Sequence, residues 1–260
     1  MLNWLKGLNW RFGSVGRTPR VPDDLWRRTL QDHPFLLADP ATQSQHLRDM
    51  VDDFLVSKEF SGAHGLAITD RMAVAIAAQA CLPVLYLGLH WYDDFKGIVV
   101  HPGAMLASRE MTDEAGVVHR YKESLTGEAM AAGPVTLSWQ DVAESGLSAT
   151  TGYNVVIHEF AHKLDMRDGV ADGCPPLPRA LREPWRLTMQ GSYERFKTAL
   201  AMSERFGAET PWLDAYGASA PAEFFAVACE AYFVNRPRFC QEFPELVDLF
   251  ERFFGQAKKG

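Results

Sequence analysis

Residues 154–165 read Asn-Val-Val-Ile-His-Glu-Phe-Ala-His-Lys-Leu-Asp, and they carry the most informative pattern in the chain. The segment contains His158-Glu159-x-x-His162, with its two histidines four residues apart. On a helix, that spacing places both imidazoles on one face, where they can bind a single metal ion. Glu159 lies one residue further round the helix, so its carboxylate can contact the attacking water rather than the metal. The pattern predicts a metal-dependent hydrolytic site with Glu159 as general base.

The residues around this motif are apolar, as expected for a helix that is buried behind an active site. They are Val155, Val156, Ile157, Phe160, Ala161 and Leu164. Lys163 departs from the extended pattern of zinc proteases, which has an uncharged residue at that position. Because so short a pattern also arises by chance, the alternative interpretation is a core helix that packs two histidines without a metal.

A catalytic zinc ion requires a third protein ligand and an open fourth position. Asp168 stands six residues after His162, so the third histidine of the metzincin motif is absent. The candidates are then Glu223 and Glu230, two carboxylates in an apolar segment where an unpaired charge is costly. They are seven residues apart and so lie on nearly one helix face. The spacing leaves open which of them binds the metal, and Glu230 could instead orient a histidine or pair with an arginine.

Two further residues are candidates for the site. Asp165 is seven residues after His158 on the same helix face, where it could accept a hydrogen bond from an imidazole N–H. Its alternative role is to close the helix before the glycine loop that follows. Tyr216 is seven residues before Glu223 and could donate its hydroxyl to a developing oxyanion. The strand expected at 135–139 could pair with an extended peptide.

The composition is that of a folded domain with no affinity for nucleic acid. The chain has 260 residues, of which 47% are hydrophobic and 23% charged. Its 26 basic and 33 acidic side chains give a net charge of −7, which disfavours direct binding to nucleic acid. Four cysteines without a C-x-x-C pair exclude a cysteine zinc cluster and fit a reducing, cytoplasmic setting.

The order of predicted elements is helices, then short strands, then helices, which indicates an α+β fold. Two helices are predicted between 22 and 60, and further helices are predicted over 72–80, 155–164, 179–205, 221–235 and 237–254. Strands are predicted over 97–101, 117–125 and 133–139. Residues 82–89 could continue a helix or form a strand, and 167–178 read as a loop. We expect one domain over 21–260, with a mostly helical part over 21–95 and the strands and catalytic helices over 96–260.

Residues 1–20 form a basic arm outside that domain. They contain four basic residues and no acidic one, and polar residues interrupt the apolar ones, so we expect no secretory signal. The arm could lie on a membrane surface or pack on the acidic body of the protein. No segment is long and apolar enough for a predicted membrane span.

The sequence resembles the Mlc titration factor A family of zinc-dependent peptidases over about Asp23 to Phe254. The resemblance rests on four segments, which are 81–89 (Cys-Leu-Pro-Val-Leu-Tyr-Leu-Gly-Leu), 133–139 (Gly-Pro-Val-Thr-Leu-Ser-Trp), 152–165 and 214–226 (Asp-Ala-Tyr-Gly-Ala-Ser-Ala-Pro-Ala-Glu-Phe-Phe-Ala). These segments are long and specific. Lys163 matches this family, although it departs from the general pattern.

The resemblance implies a zincin-like metallopeptidase core of the gluzincin type, with a small mixed sheet, similar to the protease domain of anthrax lethal factor. Carried over by motif, it implies that zinc is bound by His158, His162 and Glu223, with Glu159 as base and Tyr216 assisting. The resemblance therefore favours Glu223 over Glu230 as the third metal ligand. Glu230, like Asp165, would then support the site without binding the metal. The resemblance also implies aminopeptidase-like activity and a partner of the Mlc repressor type. The alternative function is a non-catalytic protein that binds and titrates such a repressor.

Overall fold

A mixed sheet of four short strands lies beside the helix that carries the two histidines. The computed structural model describes residues 20–37, 41–112, 118–125, 127–130 and 132–255. Its strands are β1 (Glu59–Gly62), β2 (Gly97–His101), β3 (Met105–Thr112), β4 (Val118–Leu125), β5 (Gly127–Ala129) and β6 (Val135–Ser138). The sheet has the order β1-β2-β6-β5, and β3 pairs with β4 in a separate antiparallel hairpin. The predicted α+β class is confirmed.

The sheet is parallel except at one edge. β1, β2 and β6 run parallel, whereas β5 runs antiparallel to β6. Ile98 pairs with Val135 and Val100 with Leu137, and all four side chains are fully buried. Because side chains alternate across a strand, these residues define the face of the sheet that packs against the helices.

Among the described residues, two helices precede the sheet, one lies between its first two strands, and six follow its last strand. They are α1 (Asp23–Asp32), α2 (Ala41–Ser57), α3 (Asp70–Cys81), α4 (Trp139–Ser148), α5 (Val155–Asp165), α6 (Arg179–Phe206), α7 (Pro221–Val234), α8 (Arg236–Glu242) and α9 (Pro244–Phe253). α3 is capped by Thr69, whose hydroxyl accepts the Met72 N–H, and its alanines allow close packing against α1, α2 and α5. α7 is buried along nearly all of its length, and α5 packs against it. The motif with the two histidines therefore lies on a helix that is held between the sheet and a core helix.

Most of the predicted elements are present, with differences where the local signal was weak or misread. The prediction of one helix over 237–254 is wrong, because Pro244 lacks an N–H and keeps Phe243 out of the helical conformation, with φ −132° and ψ 54°. Residues 82–88 form a bend and turns, and Leu89 begins a short 3₁₀ helix that ends at Tyr92. α4, β1, β3 and β5 were not predicted, and β1 falls inside the part expected to be mostly helical.

The basic arm lies outside the described residues except for Arg20. The Arg20 guanidinium pairs with Asp49 at 2.9 Å on the surface of α2. Within the described ranges, no helix has both the length and the apolar character that a membrane span requires.

Candidate metal centre

Helices α5 and α7 bring two imidazoles and a carboxylate to one point. The Nε2 atoms of His158 and His162 are 3.2 Å apart, and each lies 3.1 Å from Oε2 of Glu223. The ligand atoms of a tetrahedral zinc site, with metal–ligand distances of about 2.0–2.1 Å, are about 3.3–3.4 Å apart. Among the described residues, this is the one group of three His, Cys, Asp or Glu side chains whose ligand atoms all lie within 4.8 Å of one another. The donor set and its spacing fit a divalent metal ion.

Glu230 holds the first histidine in the orientation that metal binding needs. Its Oε1 lies 2.7 Å from Nδ1 of His158, and its other carboxylate oxygen accepts the backbone N–H of Asn154. A ring that donates through Nδ1–H presents the Nε2 lone pair to His162 and Glu223. Burial lowers the pKa of His158, but the charge of Glu230 and the hydrogen bonds with Glu223 and Glu230 raise it well above its ordinary value, so without a metal the ring holds a proton between these side chains. A metal ion would displace that proton and take its place among the three ligand atoms. Glu230 is 1% exposed, and water therefore does not replace its contacts.

A buried hydrogen-bond network sets the start of α5. Asn154 caps the helix, since its Oδ1 accepts the Ile157 N–H at 2.9 Å. Its Nδ2 donates to Oε1 of Gln79 at 2.8 Å, and that oxygen also accepts the hydroxyl of Ser145. All of these side chains are buried. The network ties α5 to α3 and α4, and through Asn154 it reaches the carboxylate of Glu230.

Burial and neighbouring charges shift the pKa values of Glu159 and Glu223 in opposite directions. Glu159 is 5% exposed, and burial raises its pKa to about 7, with the charge of His158 opposing the shift and those of Glu223 and Glu230 adding to it. Burial also disfavours ionisation of Glu223, but hydrogen bonds with His158 and His162 outweigh it and lower the Glu223 pKa to about 2. Glu223 is therefore a permanent anion, whereas Glu159 can gain and lose a proton near neutral pH.

Asp165 lies near His162, and Tyr216 lies near His158. Asp165 is fully buried, and its Oδ2 accepts the N–H of Gly173 at 2.9 Å. Burial raises the Asp165 pKa to about 7, although the hydrogen bond from Gly173 and the nearby His162 act to lower it. Tyr216 lies in a turn before α7, with its ring centre 6.1 Å from that of His158. Its side chain is 45% exposed and lines the cleft over the histidines.

The cleft has a volume of about 620 Å³, and β5 forms one of its walls. Gly127, Glu128 and Ala129 line it together with the motif residues of α5. β6 is paired on both sides, by β2 and β5, so it does not offer the edge that was expected to bind an extended peptide. That edge belongs to β5, because β5 is the last strand of the described sheet.

Lys163 has a structural role that sequence reasoning did not identify. Its side chain is fully buried, and Nζ lies 2.8 Å from Oδ2 of Asp94 and 3.0 Å from the carbonyl oxygen of Met130. The ammonium group also lies 4.6 Å from the centre of the Phe95 ring. A charged residue inside an apolar stretch was the available signal that a buried partner existed. Gly127, which lines the cleft beside Glu159, was also not among the predicted site residues, since it has no distinctive sequence context.

Two histidines one turn apart on a helix, a glutamate from a second helix and an adjacent buried glutamate are the arrangement of metal-dependent peptidases. The comparison with known proteins agrees with this class. Residues 8–255 match the family described as glucose-regulated metallo-peptidase M90, and the chain belongs to this family of metallopeptidases.

The most similar relatives include several proteins called Mlc titration factor A, which confirms the resemblance found in the sequence. The one from Edwardsiella ictaluri is 36% identical over 225 residues, which cover 86% of this chain and 84% of the relative. The one from Escherichia fergusonii is 32% identical over 240 residues, or 92% of this chain and 88% of the relative. The one from Cronobacter sakazakii is 34% identical over 226 residues, or 86% and 83%.

Proposed function

We propose that this protein is a zinc-dependent, aminopeptidase-like enzyme in which His158, His162 and Glu223 bind one ion per chain. The observation that carries the proposal is the convergence of these three side chains beside Glu159. Glu159 does not belong to the ligand triangle, and its buried carboxylate lines the same cleft. A purely structural metal site has no use for such a group.

The chain supplies the groups for peptide hydrolysis. When bound, zinc supplies a Lewis acid that polarises the scissile carbonyl and acidifies water. Glu159 takes a proton from the attacking water and then passes it to the leaving amine. Tyr216 donates a hydrogen bond to the oxyanion of the tetrahedral intermediate. Glu230 orients His158, and Asp165 supports the end of α5 beside His162.

The substrate is an extended peptide that pairs with β5. All three residues of β5 line the cleft, and the strand lies within contact distance of Glu159, so backbone pairing would place a scissile bond beside the base. We also propose a cytoplasmic location, on the basis of the sparse cysteines.

The names of the relatives support a second candidate function. They are called titration factors of Mlc, so this chain could bind a transcriptional repressor of that type and regulate it without hydrolysis. The net charge of −7 suits contact with the basic surface of a DNA-binding protein. The two functions are compatible, and one set of variants separates them.

The decisive experiment is Glu159→Gln, measured for zinc content, hydrolysis and repressor binding. We expect zinc to remain bound and the turnover of aminoacyl chromogenic substrates and peptides to fall about 10²–10⁴-fold, the usual contribution of a general base. His158→Ala is the matched variant that should lose zinc as well as turnover. Full activity of Glu159→Gln would refute the mechanism. Chelator-insensitive or absent turnover in the zinc-loaded wild type, with repressor binding intact, would favour the second function.

A further inference from the structure

Gly127, the first residue of β5, lies directly against the side chain of Glu159. A Cβ atom placed on Gly127 would be 2.4 Å from Oε1, 2.5 Å from Cγ and 2.7 Å from Cδ of Glu159. All three separations are far below the roughly 3.5–4.0 Å at which non-bonded carbon atoms sit comfortably. A methyl group at this position would therefore displace the whole outer half of the Glu159 side chain, not only its flexible end.

The backbone does not explain why glycine occupies this position. Gly127 pairs with Leu137 in an ordinary antiparallel register. It is not among the glycines with positive φ, unlike Gly173, for which φ is 80°. Alanine can therefore adopt the backbone conformation of Gly127. The need for glycine comes from Glu159.

The strand has little freedom to move away from the helix. Glu159 and Lys163 are four residues apart and so lie on one face of α5. Glu159 contacts the start of β5, and Nζ of Lys163 donates to the carbonyl oxygen of Met130 just beyond its end. Pairing with β6 holds the middle of the strand. Because the pairing with β6 and the hydrogen bond from Lys163 hold β5 in place, a methyl group on Gly127 would move Glu159 rather than the strand.

We propose that Gly127 is a positioning residue that reserves the space in which the carboxylate of Glu159 lies between the edge strand and the metal ligands. It acts through Glu159 and not through the substrate. The inference rests on the proposed role of Glu159 as base, and it explains why the edge strand begins with a residue that has no side chain.

Gly127→Ala tests the proposal through the separate effects on kcat and KM. We expect kcat to fall about 10- to 100-fold, as a 1 Å misplacement of a catalytic group does, with KM and zinc content within twofold of wild type. Gly103→Ala is the control, because its new Cβ would lie 3.5 Å from Gln140 Oε1, which is ordinary contact, and its kcat should not change. A Gly127→Ala variant with the kcat of wild type would overturn the proposal.

A double-mutant cycle with Glu159→Ala gives a readout that does not depend on activity. If the methyl group collides only with Glu159, Gly127→Ala lowers the urea midpoint in the Glu159 background and leaves it unchanged in the Glu159→Ala background. Equal losses in both backgrounds would show a general disturbance of the strand and overturn the proposal. Should Gly127→Ala alone fail to fold, folding of the double variant supports the proposal and its failure overturns it. If the wild type shows no turnover, the proposed function fails, whereas the unfolding cycle still decides the role of Gly127.

Discussion

Replacing Glu230 by glutamine should weaken metal binding without removing a ligand. Glu230 accepts two hydrogen bonds in the core, from Nδ1–H of His158 at 2.7 Å and from the backbone N–H of Asn154. Glutamine has one acceptor oxygen, and its NH₂ group cannot accept a hydrogen bond. One of the two donors would then face another donor at a site that is 1% exposed.

The size of the effect follows from these two contacts. A buried donor left without an acceptor costs about 1–3 kcal/mol of folding stability. Loss of the group that orients a metal-binding histidine lowers metal affinity about 10- to 100-fold, which equals roughly 1.4–2.7 kcal/mol. The affinity falls because the ring of His158 is no longer held with Nε2 towards Glu223.

Competition with a chromogenic chelator measures the zinc affinity of each variant. Glu245→Gln is the matched control, since Glu245 accepts from the hydroxyl of Ser192 at 2.8 Å in a contact between α6 and α9 and should leave zinc affinity unchanged. Glu223→Gln replaces a ligand and should lose more affinity than Glu230→Gln. The reasoning is refuted if Glu230→Gln binds zinc within twofold of wild type. If Glu230→Gln lost more zinc affinity than Glu223→Gln, Glu230 would be the ligand and Glu223 the orienting residue.

Two further predictions concern the core on either side of the site. Burial lowers the pKa of His33 to about 4, so the unfolded chain protonates first and stability is lost as pH falls from 6.5 to 4, by about 3 kcal/mol in total. In His33→Gln, the urea midpoint should fall less steeply as pH decreases over that range. An equally steep fall in the variant would show that His33 is not the group responsible. Lys163→Met removes the buried partner of Asp94, which keeps Arg167 at 3.6 Å, and should lower the free energy of unfolding by about 1–3 kcal/mol. Urea denaturation measures this loss, with Lys197→Met in an exposed pair as control, and a loss no larger than that of the control would count against the buried pair.

The metal helix and the core helix follow from local sequence, and their boundaries agree with the structure to within a residue or so. Asn154 begins α5 as a cap, and Pro221 begins α7 at a position where its missing N–H costs nothing. The helix break at Phe243-Pro244 was also a local signal, although it was misread. The strands were harder, because Gly127–Ala129 contains no β-branched or aromatic residue and is a strand only through its pairing with β6.

The sequence by itself determined that His158 and His162 share one helix face with Glu159 beside them, because the period of a helix depends only on neighbouring residues. It left Glu223 and Glu230 as equal candidates, and a family resemblance favoured the first. Only the tertiary structure sets their distances, since the packing of α7 on α5 brings Glu223 to both Nε2 atoms and Glu230 to Nδ1 of His158. It also decides that Gly127 lies against Glu159. These contacts join residues 32 to 72 positions apart in the sequence. Residues so far apart come together because the helices and strands bury a common apolar core, and local sequence patterns do not predict which residues then meet.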